Sequence, residues 1–235
     1  MLILALDSTA IVASVALCRD ETPIASFTVK NGNTHSETLL PMVEAVLRAA
    51  NVKATDIDLF ACSTGPGSFT GVRIGAATVK GLAFGREVCC LGVSTLEALA
   101  ENAVPFEGLI CPVMNARRAQ VYNALFTCKD GALHRLCPDR AISVAELEEE
   151  LLRDGRPFVL CGDGVAEYTS NAKKTASVPI SSLLTDQCAI SVARVAYRRF
   201  LAGERGTDTA LNPVYLRMPQ AERERLERLA KENTQ

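Results

Sequence analysis

Two histidines, His35 and His134, are all the imidazole available to this chain of 235 residues. No H-E-x-x-H occurs, and neither histidine can be paired from sequence with a serine or cysteine nucleophile, so peptidase chemistry has no visible machinery. C-x-x-C pairs are also missing, although cysteines number nine. The count is odd, Cys18, Cys62, Cys111, Cys128 and Cys161 fall in apolar runs, and Cys89 and Cys90 are adjacent. Such cysteines read as buried thiols in a reducing cytosol, against a zinc site or disulfide framework. Charge of neither sign dominates: 25 Lys and Arg face 27 Asp and Glu, a net charge of −2. That excludes the global basic excess that announces a nucleic-acid binder by itself. No apolar run approaches the roughly 20 residues of a membrane span. The Met1–Leu6 start meets Asp7 with no basic region before it, so it reads as a strand and not a signal peptide. With 48% hydrophobic residues, the chain has material for a real core in one domain or two small lobes.

What is abundant is glycine around one turn. Cys62-Ser-Thr-Gly65-Pro66-Gly67-Ser68-Phe69-Thr70-Gly71-Val72-Arg73-Ile74-Gly75 follows the strand-length apolar run Ile57–Cys62 and opens a helix reaching to about Gly85. Gly65 and Gly67 can take φ > 0, Pro66 fixes its own φ, and Ser68 is a suitable N-cap. Two readings stand. One is an anion or phosphate cradle at the helix N-terminus; the other is a strand-to-helix turn whose glycines serve packing alone. Neither the P-loop spacing, which needs Gly-Lys-Ser/Thr, nor the dinucleotide fingerprint is met. The helix is apolar on nearly every side. Gly71 and Gly75, then Ala77, Gly81 and Gly85, recur at intervals of four, and each helical glycine costs about 1 kcal/mol against alanine. An all-round apolar helix must be covered all round. One side can lie on a sheet; the other calls for a neighbouring helix or another protein.

Taken in order, Leu2–Asp7, Ile11–Cys18 and Ile24–Val29 read as an antiparallel meander. Asp7-Ser8-Thr9, at the end of the first strand, suits either a phosphate or metal-water contact in a nucleotide cleft or simple turn formation. Thr34-His-Ser-Glu37 is a capping-box pattern opening a helix to about Ala50, with an apolar stripe of Leu39, Met42, Val43, Val46 and Leu47 and an expected kink at Pro41. Val88–Val93 reads as a strand and Ser94-Thr-Leu-Glu97 as a second capping box. The βββαβαβα order closes near Val104 and then begins again: strands at Leu109–Met114, Ala119–Thr127 and Ala132–Cys137, a helix capped by Ser143, a strand at Phe158–Cys161 and a helix over Asp186–Ala202 stopped by Gly203. Two tandem ribonuclease H-like lobes, 1–104 and 105–216, give an α/β architecture like that of the actin, hexokinase and Hsp70 superfamily. A charged tail, 217–235, follows and reads as a solvated helix or a mobile end.

Five motifs in order carry a family resemblance: Asp7-Ser8-Thr9; His35-Ser-Glu-Thr-Leu-Leu-Pro41-Met; Gly65 to Gly75; Gly92-Val-Ser-Thr-Leu96; and Pro213-Val-Tyr-Leu-Arg217. They span almost the whole chain, and it is identified by them as resembling the TsaB (YeaZ) family of bacterial threonylcarbamoyladenosine tRNA-modification proteins. The resemblance implies the two-lobed fold and a partner, TsaD, which transfers threonylcarbamoyl to adenosine 37 of ANN-decoding tRNAs. TsaD carries a metal through an H-x-x-x-H pair; the matching positions here hold Thr95 and Leu99, which cannot replace imidazole. It also implies a non-catalytic subunit whose first-lobe helices, Thr34–Ala50 and Phe69–Gly85, pair with the same helices of TsaD in a four-helix bundle.

The expected partner contacts are Leu39, Val43, Val46, Leu47, Val72, Gly75, Val79 and Leu82. A TsaE-like ATPase would join, tRNA would be met indirectly through the complex, and a homodimer through the same helices is the alternative pairing. Asp7, Ser8, Thr9, Gly65 and Gly67 are the candidates for weak ATP or ADP binding at a subunit boundary, with no metal and no intrinsic cofactor. A competing function is an ATP-dependent phosphotransferase, with Gly162-Asp-Gly164 as its adenosine loop; a further one, an inactive peptidase homologue, has no residues to support it.

Overall fold

The computed structural model describes residues 1–217; the charged tail expected beyond Arg217 lies outside the described residues. Strands β1 (Leu2–Asp7), β2 (Ala13–Arg19) and β3 (Thr22–Val29) form the expected meander, and β4 (Leu59–Gly65) and β5 (Cys89–Ser94) add in parallel to give the order β3-β2-β1-β4-β5. Period-two alternation decides which side chain meets which layer. Leu4, Leu6, Phe60 and Cys62 face helices α1 (His35–Ala49) and α2 (Phe69–Ala83); Ile3, Ala5, Leu59 and Ala61 face the opposite layer. Covering both faces explains why β1 and β4 are apolar throughout.

The opposite layer comes from far along the chain. Helix α6 (Ala189–Leu201) lies on that face through Ala189, Val192, Ala193, Val195 and Ala196. The boundary expected at residue 104 is therefore corrected: a helix assigned to the second lobe belongs, by packing, to the first. Helix α3 (Thr95–Glu101) sits between the lobes, with Leu96, Leu99 and Ala100 in a core shared with second-lobe strands.

The second lobe is built on β6 (Leu109–Asn115), which pairs with β7 (Gln120–Asn123), β8 (Phe126–Lys129) and β11 (Phe158–Cys161); β9 (Ala132–Arg135) and β10 (Arg140–Ser143) complete the sheet. Helices α4 (Val144–Asp154) and α5 (Val165–Asn171) cover it. The single strand expected over Ala119–Thr127 is two, parted at Ala124-Leu125, where Leu125 N–H donates to Cys137 Sγ and Leu136 N–H to Leu125 O. Two α/β lobes of this kind are the actin- and hexokinase-like fold.

Caps divide by geometry. Ser143 and Glu146 form the full reciprocal box at α4, and Gly155 ends that helix at φ 73°. Ser94 accepts from Glu97 N–H, but the Glu97 carboxylate pairs with Arg135 and Arg199. Thr34 makes no side-chain cap, so the box expected at α1 does not form, and that helix runs as one element with Pro41 on its exposed side.

Candidate functional site

Side chains of the first β-to-loop junction are spent on one another. The Asp7 carboxylate, 1% exposed, accepts from Ser63 Oγ at 2.6 Å, Thr9 N at 2.9 Å and Thr9 Oγ1 at 2.7 Å. Burial pushes its pKa above the ordinary carboxylate value, and the bonds from Ser63 and Thr9 pull the other way. Ser8 Oγ donates to Gly71 O at 2.9 Å. Asp7 and Ser8 thus lock a turn, the simpler of the two readings.

That turn lies directly on α2, and the glycines there are needed for it. A Cβ on Gly67 would come 2.5 Å from Thr9 O, on Gly71 2.0 Å from Ser8 O, and on Gly75 2.7 Å from Ser8 Oγ. Ser68 N–H donates to Thr9 O at 2.7 Å, and Ser68 Oγ caps Gly71 N–H as expected. Gly65, at φ 118°, carries another part of the chain: a Cβ there would sit 2.4 Å from Val214 O. Val214 N–H donates to Thr64 O at 2.7 Å, so the segment ending in Pro213-Val-Tyr-Leu-Arg217 is a strap seated on the turn. Tyr215 stacks on Phe69 at 4.6 Å, and Arg217 reaches the second lobe at Ala116 O and Gln120.

Between the lobes lies a cleft of about 570 Å³ lined by Thr9, Gly67, Ser68, Tyr122, Asp163 and the strap, among others. Of the five residues expected to meet a nucleotide, Thr9 and Gly67 line it; Asp7, Ser8 and Gly65 do not. Asp163 lines the cleft, and desolvation first, then the charges of Asp186 and Asp7, raise its pKa against the bond from Asn115 N–H. The glycines beside it serve packing. A Cβ on Gly162 would lie 2.2 Å from Val113 O, and one on Gly164 2.8 Å from the Met114 carbonyl carbon.

At the positions the resemblance matched to metal-binding histidines, Thr95 and Leu99 are buried, and neither offers a suitable donor set. Among the described residues no group of three His, Cys, Asp or Glu could hold a metal ion, and no helix is long and apolar enough to cross a membrane.

The eight expected partner contacts need correction. Leu39, Val43, Val46, Leu47, Val72, Gly75 and Val79 are buried in the chain's own core; only Leu82 reaches the surface in part. Helix amphipathicity turns the large apolar stripe toward the sheet. What α2 presents outward is Thr70, Arg73, Ala77 and Gly81, continued past its end by Phe84 at 82% exposure; α1 presents Leu40, Glu44 and Arg48. The interval of four in Ala77 and Gly81 leaves the middle of that outward side without large groups.

The family model for tRNA N6-adenosine threonylcarbamoyltransferase (TsaD) matches residues 30–199. The tRNA threonylcarbamoyladenosine biosynthesis protein TsaB of Bacillus subtilis (strain 168) is 37% identical over 162 residues, which is 69% of this chain and 71% of that one. TsaB of Escherichia coli (strain K12) is 31% identical over 220 residues, 92% of this chain and 95% of its own. The solved structure of YeaZ from Pseudomonas aeruginosa superposes with a TM-score of 0.78 at 27% identity, covering 92% of this chain and 99% of that one. With motifs, fold and relatives in agreement, the chain belongs to the TsaB (YeaZ) family of tRNA threonylcarbamoyladenosine biosynthesis proteins.

Proposed function

We propose that this protein serves threonylcarbamoyladenosine synthesis as a non-catalytic subunit, docking on a TsaD-like transferase through the outward faces of α1 and α2. A TsaE-like ATPase joins that assembly, and tRNA is met through the complex, in the cytoplasm. One observation carries the reading. A Cβ on Gly81 would meet nothing within 4 Å, so packing inside the chain does not require a glycine there, unlike at Gly71 and Gly75. Its cost of up to about 1 kcal/mol against alanine is explained if a second helix passes close over Ala77 and Gly81. The absence of a ligand set at Thr95 and Leu99 supports the division of labour, with the chemistry left to the partner.

The test is co-elution with the TsaD-like partner. Ala77→Glu places a charge on the exposed stripe, where it should leave the thermal melt near that of the parent and abolish the complex. Val79→Glu buries a charge in the core and should unfold the chain. Undiminished co-elution of the Ala77→Glu variant would end the docking model. A second reading, weak ATP or ADP binding in the cleft, is favoured by Thr9, Gly67 and Ser68 lining it beside the start of α2. Calorimetric titration with ATP, with and without the partner, decides it; no heat in either case removes it. Pairing of two copies through the same face is the outcome that light scattering of the isolated chain would reveal.

A further inference from the structure

The exposed end of α2 is a composite of helix and strap. Arg73 lies with its guanidinium carbon 3.9 Å over the Phe69 ring and 5.7 Å from the Tyr215 ring centroid, and its Nε donates to Tyr215 Oη at 2.7 Å. Phe69 and Tyr215 stack on each other at 4.6 Å with an interplanar angle of 28°. The seat of Tyr215 is built in: Val214 is bonded to Thr64, Gly65 leaves the room its carbonyl needs, and Leu211 is buried in the first-lobe core. A long cationic side chain that would ordinarily be mobile on an exposed helix face is thereby held flat. Its two Nη nitrogens have no partner among the described residues, and no carboxylate among them pairs with it.

We infer that Arg73, clamped by Phe69 and the strap residue Tyr215, is a preorganised fork for an aspartate or glutamate of the docked catalytic partner. The inference rests on the docking reading above and extends its surface from the two helices onto the C-terminal strap. A planar guanidinium whose Nε edge is already engaged offers its Nη pair to a carboxylate in two parallel bonds. Because the rotamers are fixed beforehand, less ordering entropy opposes the contact, and clustered Arg and Tyr are the residue types in which interface energy concentrates. A phosphate surface would gather several cations; the outward line Thr70, Arg73, Ala77, Gly81, Phe84 carries one, and its small middle suits a helix.

The experiment titrates the full chain against the TsaD-like partner without tRNA, then with it. Arg73→Ala should weaken the complex about tenfold or more. Arg73→Lys should recover little of it, since an ammonium lacks the fork, and Tyr215→Phe, which keeps the stack and loses the Oη acceptor, should fall in between. If Arg73→Ala and Arg73→Lys bind like the parent while Ala77→Glu does not, the fork is wrong and the docking face stands. If Ala77→Glu is silent as well, the docking reading itself has failed. An Arg73 effect that emerges only with tRNA present would reassign the residue to phosphate and overturn the inference.

Discussion

Substituting Gly81 separates what α2 needs for its own fold from what the proposed docking would need of it. The residue is exposed in the last turn of the helix, its φ is not in the left-handed region, and an added Cβ finds open space. Gly81→Ala should therefore stabilise the isolated protein, by about 0.5–1 kcal/mol from lost unfolded-state entropy, nearer the lower figure because the last turn frays. In a chain of this size that raises the melting temperature by roughly 1–4 °C. Gly81→Leu should be no less stable than the parent, leucine being almost as good a helix former as alanine. On the partner side the ordering reverses. Helices pack with axes about 8–10 Å apart, and four extra carbons at a close crossing act as overpacking of about 1–3 kcal/mol, which weakens the complex roughly 5- to 150-fold. Thermal melts of the isolated variants and calorimetric titration with the TsaD-like partner read the two effects independently. A lowered melting temperature for Gly81→Ala would mean the glycine serves the fold after all. Parent-like binding by Gly81→Leu would mean that nothing approaches this face closely.

Gly71 predicts the opposite: with Ser8 O 2.0 Å from its Cβ position, Gly71→Ala must displace backbone on both sides and should cost at least about 3 kcal/mol in urea unfolding, a value within about 1 kcal/mol of the parent refuting the fit. Glu148, 6% exposed, accepts from the amides of Lys173, Lys174 and Thr175, and these bonds, Lys174 first, hold its pKa below the usual value. A depressed folded pKa contributes stability above the unfolded value of about 4.3 and loses it as pH falls through the folded one. Glu148→Gln should therefore flatten the acid limb of the melting curve below about pH 4.3; an unchanged limb would show that the anion does not hold this loop. Burial pushes the thiols of Cys18 and Cys90 up to about 11 and Cys161 to about 12, with Cys62 and Cys111 raised further. Iodoacetamide at mild pH should spare these five in the native state, and mass spectrometry showing Cys62 or Cys111 alkylated first would contradict the buried-thiol reading.

The elements were legible wherever a local period met a local stop signal. Ser143 with Glu146, Gly155 and Gly203 mark helix ends through backbone chemistry that acts within a few residues, and the apolar runs of β1, β4, β6 and β11 follow from burial on both faces. What failed to show was long-range assignment. Nothing in Ala189–Leu201 says that its apolar side lies on β1 and β2, nearly the whole chain away, because a helix stripe specifies that it is buried and not against what. The strap was visible only as a motif. Its meaning depends on Gly65 meeting Val214, a contact between two stretches each ordinary alone.

The same reasoning applies to the large apolar stripe, on which the resemblance puts the partner contacts. Leu39, Val43, Val46 and Val79 cannot also be kept in water for a partner, because those side chains already supply the first-lobe core. A docking face of the proposed kind has to keep large exposed apolar groups few; on α2 it would rest on Ala77, Gly81 and the held Arg73, with Phe84 and, from α1, Leu40 as its exposed apolar groups. Glycines then divide by a test that sequence cannot apply. Gly65, Gly67, Gly71 and Gly75 each face an atom that a Cβ would strike, and Gly81 faces none. Gly81 is thus the glycine of α2 whose substitution tests the proposed docking and not the fold.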